Sequence, residues 1–158
     1  MPGLEDLYRE IILDHYRNPR NRGELPTPPA TRVEGFNPLC GDEVVLFLVV
    51  EDGQVTDLRV SGQGCSISQS SASMMSAAVK NKTVAEARAL IRAFKGMMTV
   101  HEQRLDGEDG DGDHVDPDIK LGDLEALQGV VKFPVRIKCA TLSWNTLAQG
   151  LDEAAATV

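Results

Sequence analysis

The sequence predicts an α+β fold in which a small three-stranded antiparallel sheet packs against about five helices. Runs rich in Val, Leu and Phe surround an Asp-Gly turn, and segments with helical apolar spacing lie on both sides of them. A chain of 158 residues with 42% hydrophobic residues is long enough to bury a core. We therefore expect one domain over residues 1–158, with an acidic insertion at about 101–120.

The first predicted element is an amphipathic helix. Asn18-Pro19 ends it, because proline disfavours helical backbone in the residue before it. We expect its last apolar-face residue, a histidine, to be a packing residue and not a metal ligand. Spacings of three and four place on one face the residues Leu4, Leu7, Tyr8, Ile11, Ile12 and His15.

Three strands are predicted next. The first covers Ala30 to Phe36, and the second covers Glu43 to Glu51, which is rich in Val and Leu. Asp52-Gly53 is typical of a tight hairpin turn, since such turns need positive φ. Val55 to Ser61 then returns as the third strand, which makes the sheet antiparallel.

The second half of the chain is predicted to be mainly helical. Ser66 to Lys80 lacks glycine and proline, and Thr83-Val84-Ala85-Glu86 is a capping box that begins another helix. Leu124 to Leu127 is predicted as a short helix. Val130 to Ile137, interrupted by Pro134, is predicted to be extended, and the last helix is predicted from Cys139 to about Ala155.

The net charge of −8 is concentrated in the acidic insertion. Outside residues 101–118 the chain is nearly neutral, and no basic stripe with aromatic residues indicates nucleic acid binding. A calcium loop beginning at Asp109 fails, because His114 and Lys120 occupy the positions that require Gly and Glu. We therefore expect a solvated, mobile acidic loop.

We expect a cytoplasmic protein that does not bind membranes. No apolar run approaches the roughly 18 residues of a membrane span, and residues 1–10 have no signal-peptide pattern. An odd number of cysteines, three, argues against a disulfide framework and favours free thiols or metal ligands. We expect a monomer or a weak dimer.

Three cysteines and one carboxylate carry the chemical signal. Cys40, Cys65 and Cys139, with Asp42 two residues after the first, make up the four ligands that tetrahedral zinc requires. Cys65 and Cys139 are predicted at helix N-termini, where the dipole lowers the pKa of a thiol. The separations in sequence are long, however, and free cysteine is also a common core residue. From the residues alone, we therefore conclude only that the chain is an α+β domain with possible metal-binding thiols.

Four segments resemble the U-type iron–sulfur cluster assembly proteins, the IscU/NifU-like family. The resemblance covers nearly the whole chain and implies an α+β fold with a three-stranded antiparallel sheet. The segments are Asp14-His15-Tyr16-Arg17-Asn18-Pro19-Arg20-Asn21, Asn37-Pro38-Leu39-Cys40-Gly41-Asp42, Gly62-Gln63-Gly64-Cys65-Ser66-Ile67-Ser68 and Lys138-Cys139-Ala140.

Three features make the chain similar to the SufU branch of this family rather than the IscU branch. Lys138 stands where the IscU branch has a histidine before the last cysteine. The segment Val131-Lys132-Phe133-Pro134-Val135 does not match the Leu-Pro-Pro-Val-Lys motif that recruits a chaperone in that branch. Residues 101–120 form an insertion of the kind that marks SufU proteins.

The SufU resemblance implies a zinc-dependent sulfur acceptor. It implies zinc on Cys40, Asp42, Cys65 and Cys139, and a SufS-type pyridoxal-phosphate cysteine desulfurase as partner. A histidine of the desulfurase would take the place of Cys40 on the metal, and the freed Cys40 would accept persulfide sulfur. Downstream cluster-assembly proteins would receive it. Arg136 and Lys138 are expected to offset part of the site's negative charge, and the acidic insertion is expected to orient the partner.

Three other functions remain open from the sequence. The same four side chains suit a scaffold on which a [2Fe–2S] cluster is assembled, because thiolate sites accept iron as well as zinc. A structural zinc domain would bind the desulfurase without accepting sulfur. A cysteine hydrolase is the least favoured, because the chain has only three histidines to act as a base and two lie in or beside the acidic insertion: His15, His101 and His114.

Overall fold

The structure, a computed structural model, describes residues 2–27, 29–38, 40–106 and 121–156. Three strands form one antiparallel sheet in the order β1-β2-β3, and five helices accompany it, so the predicted fold is confirmed. In chain order the elements are α1 (Pro2–Arg17), β1 (Thr31–Asn37), β2 (Asp42–Glu51), β3 (Gln54–Gln63), α2 (Ser66–Val79), α3 (Val84–Asp106), a 3-10 helix (Gly122–Lys132) and α4 (Pro134–Ala156).

Two hairpins build the sheet. Asp52 and Gly53 join β2 to β3 with φ angles of 52° and 76°, which is the positive φ that the predicted tight turn requires. The β1–β2 register pairs Asn37 with Asp42, so the four residues between them form a short loop. That loop carries Cys40 at one end of the sheet.

The helices cover one face of the sheet. Helix α4 packs on β1 and β2, and α2 packs between α1 and α4. Phe94 of α3 and Trp144 of α4 stack with their ring centroids 4.5 Å apart, which joins these two helices in the core. The fully buried Leu46 and Leu48 supply the core side of β2.

Helix α2 buries serines where a core helix usually buries aliphatic residues, and their hydroxyls bind neighbouring elements. Ser71 Oγ donates to the Ala140 carbonyl at 2.6 Å and accepts from Trp144 Nε1 at 3.1 Å. Ser73 Oγ lies 2.8 Å from Nδ1 of His15, which is buried, so the prediction that His15 is a packing residue is confirmed. These bonds fix α2 against both α1 and α4.

The start of α3 also agrees with the prediction. The Glu86 amide donates to Thr83 Oγ1 at 3.0 Å, and the Glu86 carboxylate accepts from the Thr83 amide at 3.2 Å. These reciprocal bonds are those of a capping box. The Thr83 amide and hydroxyl bonds lower the pKa of the Glu86 carboxyl despite the opposing effect of its slight desolvation.

Two predictions about the second half are wrong. Val130 to Ile137 is not extended: the 3-10 helix continues to Lys132, and α4 begins at Pro134 and not at Cys139. Proline suits the first turn of a helix, where its missing N–H leaves no bond unmade. The short helix predicted at Leu124 to Leu127 is part of the 3-10 helix.

The acidic insertion was predicted as a loop, yet residues 101–106 are helical and belong to α3. The rest of the insertion, with the rejected calcium loop, lies outside the described residues. Within the described part of the chain, no helix has the length and hydropathy needed to cross a bilayer.

Replacing Ser71 by Ala should lower the free energy of unfolding by about 1–3 kcal/mol, because the buried Trp144 indole N–H loses its acceptor. Urea unfolding followed by tryptophan fluorescence measures this loss. Ser143→Ala is the matched control, since Ser143 Oγ is buried and has no hydrogen-bond partner among the described residues. We expect Ser143→Ala to be neutral or stabilising, and equal losses in both variants would contradict this account.

Candidate metal centre

The β1–β2 loop presents two of the four predicted site residues. Cys40 is half-buried in the loop, and Asp42, the first residue of β2, is fully buried. Gly41 between them has φ +67°, a left-handed conformation that glycine adopts without strain. The sharp turn at Gly41 separates an accessible thiol from a buried carboxylate.

Cys65 is the residue immediately before α2, as predicted. Its φ and ψ of −71° and 169° are extended, and its side chain accepts from the Ser68 amide at 3.5 Å, as an N-cap residue does. Its own amide donates to Asp42 Oδ1 at 2.9 Å. The end of β3 and the start of α2 are thereby joined to the carboxylate.

Cys139 is not at a helix N-terminus, and that prediction is wrong. It is the sixth residue of α4 and is fully buried, with its Sγ 3.1 Å from Cys40 Sγ. Burial raises the pKa of the Cys139 thiol, and the contacts with Cys40 and Asp42 raise it further. The helix dipole cannot offset this in the helix interior, so a bound cation would favour the thiolate.

Three of the four predicted residues come together as one cluster. Ligand atoms of Cys40, Asp42 and Cys139 all lie within 4.8 Å of one another, a spacing at which they could hold a metal ion. Tetrahedral zinc with sulfur ligands at about 2.3 Å requires ligand atoms about 3.8 Å apart, so a small adjustment makes this set fit zinc. Cys65 is outside that group, but its side chain interacts with both Asp42 and Cys139.

The Asp42 carboxylate is kept ionised by its donors. Burial raises the pKa of this carboxyl, but the Cys65 amide and the side chains of Cys139, Cys65 and Ser68 lower it more, so the net pKa is below the ordinary value. A buried carboxylate that remains anionic is a suitable ligand for a divalent cation.

Arg136 supplies positive charge to the cluster. It precedes Cys139 by three residues in α4, and residues at that separation share a helix face. A hydrogen bond to Cys139 and the charges of Cys65, Cys139 and Cys40 raise the pKa of the guanidinium. Lys138 is exposed and lies about 100° around the helix from Cys139. Of the two expected cations, Arg136 contacts the thiols.

Two neighbours of the cluster were not singled out from the sequence. Asn37 is buried, and its amide donates to Asp42 Oδ2 at 3.4 Å and to Cys139 Sγ at 3.7 Å. Gly64 leaves room for the carboxylate, since a Cβ on it would be 2.5 Å from both Asp42 Oδ1 and Ser68 Oγ. Neither the buried amide of Asn37 nor the absence of a Cβ at Gly64 belongs to a periodic sequence pattern. Their roles therefore became visible only in the structure.

Comparison with known proteins places the chain in a family. Residues 7–140 match the family model described as the NifU-like N-terminal domain. The chain belongs to the NifU-like N-terminal domain family. The matched range contains every residue of the candidate metal centre.

The chain is similar both to a protein named as a sulfurtransferase and to proteins named as scaffolds. It is 45% identical over 94% of its length to the zinc-dependent sulfurtransferase SufU of Bacillus subtilis, of which 91% is covered. It is 36% identical over 96% of its length to the iron–sulfur cluster assembly scaffold protein IscU of Streptococcus pyogenes, of which 87% is covered.

The solved structures agree with the fold of this NifU-like domain. A SUF-system cluster assembly scaffold protein from Fervidobacterium islandicum, called FiSufU, superposes with a TM-score of 0.76 at 30% identity. That match covers 90% of this chain and 94% of the other. The resemblance drawn from the four sequence segments, to the SufU branch, is therefore confirmed.

Replacing Gly64 by Ala should weaken zinc binding by about tenfold or more, because the added Cβ displaces the Asp42 carboxylate. Competition with a chromophoric chelator measures the affinity. Gly129→Ala is the matched control, since a Cβ at Gly129 meets nothing within 4 Å. Wild-type affinity in Gly64→Ala would show that the carboxylate is not a ligand.

Proposed function

We propose that this protein is a zinc-dependent sulfur acceptor in iron–sulfur cluster assembly, which takes persulfide sulfur from a cysteine desulfurase through Cys40. One observation carries this conclusion: the cluster contains a half-buried thiol on a short loop, next to a fully buried thiol and carboxylate. Of the two half-buried thiols, Cys40 lies on the loop, whereas Cys65 is held at the start of α2 by the Ser68 amide. Similarity to a protein named as a zinc-dependent sulfurtransferase supports the same function.

Zinc is the metal we propose, held by Cys40, Asp42, Cys65 and Cys139. Three thiols with one carboxylate match its preference for sulfur with one harder ligand. When bound, zinc supplies the positive charge that keeps the thiols deprotonated and resistant to oxidation. Burial raises the pKa of the Cys139 thiol, so the fold disfavours the thiolate without such a charge.

The proposed chemical step is a persulfide exchange at Cys40. The Cys40 thiolate attacks the outer sulfur of the donor persulfide, a new S–S bond forms on Cys40, and the S–S bond in the donor breaks. The donor cysteine leaves as a thiolate, and the proton of the outer sulfur stays with that sulfur. The number of S–S bonds is unchanged, so no external oxidant or reductant is needed.

The sulfur donor we propose is a SufS-type pyridoxal-phosphate cysteine desulfurase, which docks on the surface around the thiols. A groove of about 870 Å³ opens beside Cys65 and is lined mainly by apolar side chains, with Arg9 and Arg136 as its charged lining residues. Phe133 lines the same groove and remains 63% exposed. Exposed apolar surface at a reactive site is typical of protein contacts, and the two arginines favour an acidic segment of the desulfurase.

The remaining proposals concern the cell. We propose a cytoplasmic location, because three unpaired cysteines suit a reducing compartment. Downstream cluster-assembly proteins are the proposed recipients of the sulfur, and a monomer or weak dimer is the proposed state. A proposed role of the acidic insertion in orienting the desulfurase concerns residues mostly outside the described ranges.

A second candidate is a scaffold for a [2Fe–2S] cluster, favoured by the 36% identity to a protein named as a scaffold. Anaerobic purification followed by metal and sulfide analysis separates the two. About one zinc per chain without labile sulfide supports the sulfur acceptor. Iron and acid-labile sulfide in equal amounts would overturn it in favour of the scaffold.

Replacing Cys40 by Ser should abolish transfer of radiolabelled sulfur from a cysteine desulfurase to this protein. The attacking sulfur atom is lost, while the three buried or capping ligands are unchanged. Counting the radiolabel bound to the protein after one turnover measures the transfer. Cys65→Ser is the comparison that tests whether acceptance depends on Cys40 itself, and continued labelling of Cys40→Ser would place the acceptor on another cysteine and contradict the proposal.

Replacing Arg136 by Ala should weaken zinc retention or sulfur acceptance several-fold, because the cluster loses the guanidinium that contacts Cys139. Lys138→Ala removes the same charge two residues away, on an exposed side chain, and is the matched control. Equilibrium dialysis against zinc buffers and single-turnover sulfur transfer measure the two properties. Equal behaviour of the two variants would show that only net charge matters.

A further inference from the structure

Asn37 is a buried polar residue whose side-chain amide donates to two residues of the candidate metal centre. It is 5% exposed at the last position of β1, directly opposite Asp42 in the strand register. Its Nδ2 donates to Asp42 Oδ2 at 3.4 Å and to Cys139 Sγ at 3.7 Å. One amide group therefore contacts two candidate ligands that come from β2 and α4.

From these contacts we infer that Asn37 is a positioning residue, which holds Asp42 and Cys139 in place while Cys40 leaves the site to accept sulfur. The inference rests on the proposed function. It divides the site into a fixed part, which contains Asp42 and Cys139, and a moving part, which is Cys40. Asn37 is the residue that holds the fixed part in place.

The geometry gives the reason for this division. Asn37 and Asp42 close the base of the β1–β2 loop, and Cys40 lies beyond that base. The Asn37 amide donates to Asp42 at the base and to Cys139, and neither of these two bonds involves Cys40. Departure of Cys40 therefore leaves both Asn37 bonds intact, so the remaining ligands keep their arrangement.

The chemistry agrees with the geometry. An amide has N–H donors, and both of its partners here are anionic when a metal is bound, which makes the hydrogen bonds charge-assisted. Outer-shell donors of this kind orient metal ligands and reduce the charge on a ligating sulfur. Cys65 is oriented separately, by the Ser68 amide, and does not depend on Asn37.

The test compares Asn37→Ala and Asn37→Leu in the full chain. Leucine has the branched shape and the number of side-chain heavy atoms of asparagine, although it is bulkier, and it has no donor. A role in filling space alone therefore predicts that Asn37→Leu binds zinc better than Asn37→Ala. We expect both variants to bind zinc about 10- to 100-fold more weakly, as loss of an outer-shell partner does elsewhere. Val55→Ala is the control for general loss of stability, because Val55 is fully buried in β3 at the opposite end of the sheet.

A spectroscopic readout separates positioning from stability. In the cobalt-substituted protein, the sulfur-to-metal charge-transfer band should move to longer wavelength in both Asn37 variants, because an N–H bond no longer stabilises the Cys139 sulfur lone pair. Val55→Ala should keep the wild-type band. An unchanged band and unchanged zinc affinity in Asn37→Leu would overturn the inference and leave the proposed function standing. Failure of the wild-type chain to bind zinc would overturn both.

Discussion

The candidate metal centre depends on one constraint, the burial of the Asp42 carboxylate. A buried carboxylate is costly unless donors surround it. Here the donors come from three directions: the Cys65 amide before α2, the Asn37 amide in β1 and the Cys139 thiol in α4. Satisfying this single group therefore brings together the elements that carry the thiols. The Asp42 carboxylate thus links β1, β2, α2 and α4 at the site.

Helix α4 shows how a local feature decides the chemistry. Because the helix begins at Pro134, Cys139 falls in its interior and Arg136 lies one turn before it on the same face. A helix that began at Cys139 would have offered dipole stabilisation of the thiolate and left Arg136 in an extended segment. In the observed arrangement the Arg136 guanidinium takes the place of the dipole, while burial raises the pKa of the Cys139 thiol. Charge balance at the site consequently rests on specific side chains.

Much of the fold could be predicted from the sequence because its signals are local. The Val- and Leu-rich run of β2, the Asp52-Gly53 turn and the capping box at Thr83 each depend on neighbouring residues, and the structure confirms them. The prediction for Val130 to Ile137 was wrong because a proline such as Pro134 is compatible both with extended backbone and with the first turn of a helix. Tertiary packing decided between the two.

The cluster could be predicted in composition but not in detail. Cys40, Asp42 and Cys139 meet as the four motif segments implied, while the assignment of all four ligands stays a prediction. Asn37 acts through a hydrogen bond to a residue distant in sequence, and Gly64 acts by leaving space for the carboxylate. Neither effect can be predicted from the spacing of residues in the sequence.

The packing of α4 on β1 also has a consequence for biogenesis. Cys139 is separated from Cys40 by 99 positions, so during synthesis the site stays open until the C-terminal helix has docked. The candidate ligands on the β1–β2 loop and before α2 therefore wait for α4, and the full set comes together only when that helix packs on the sheet.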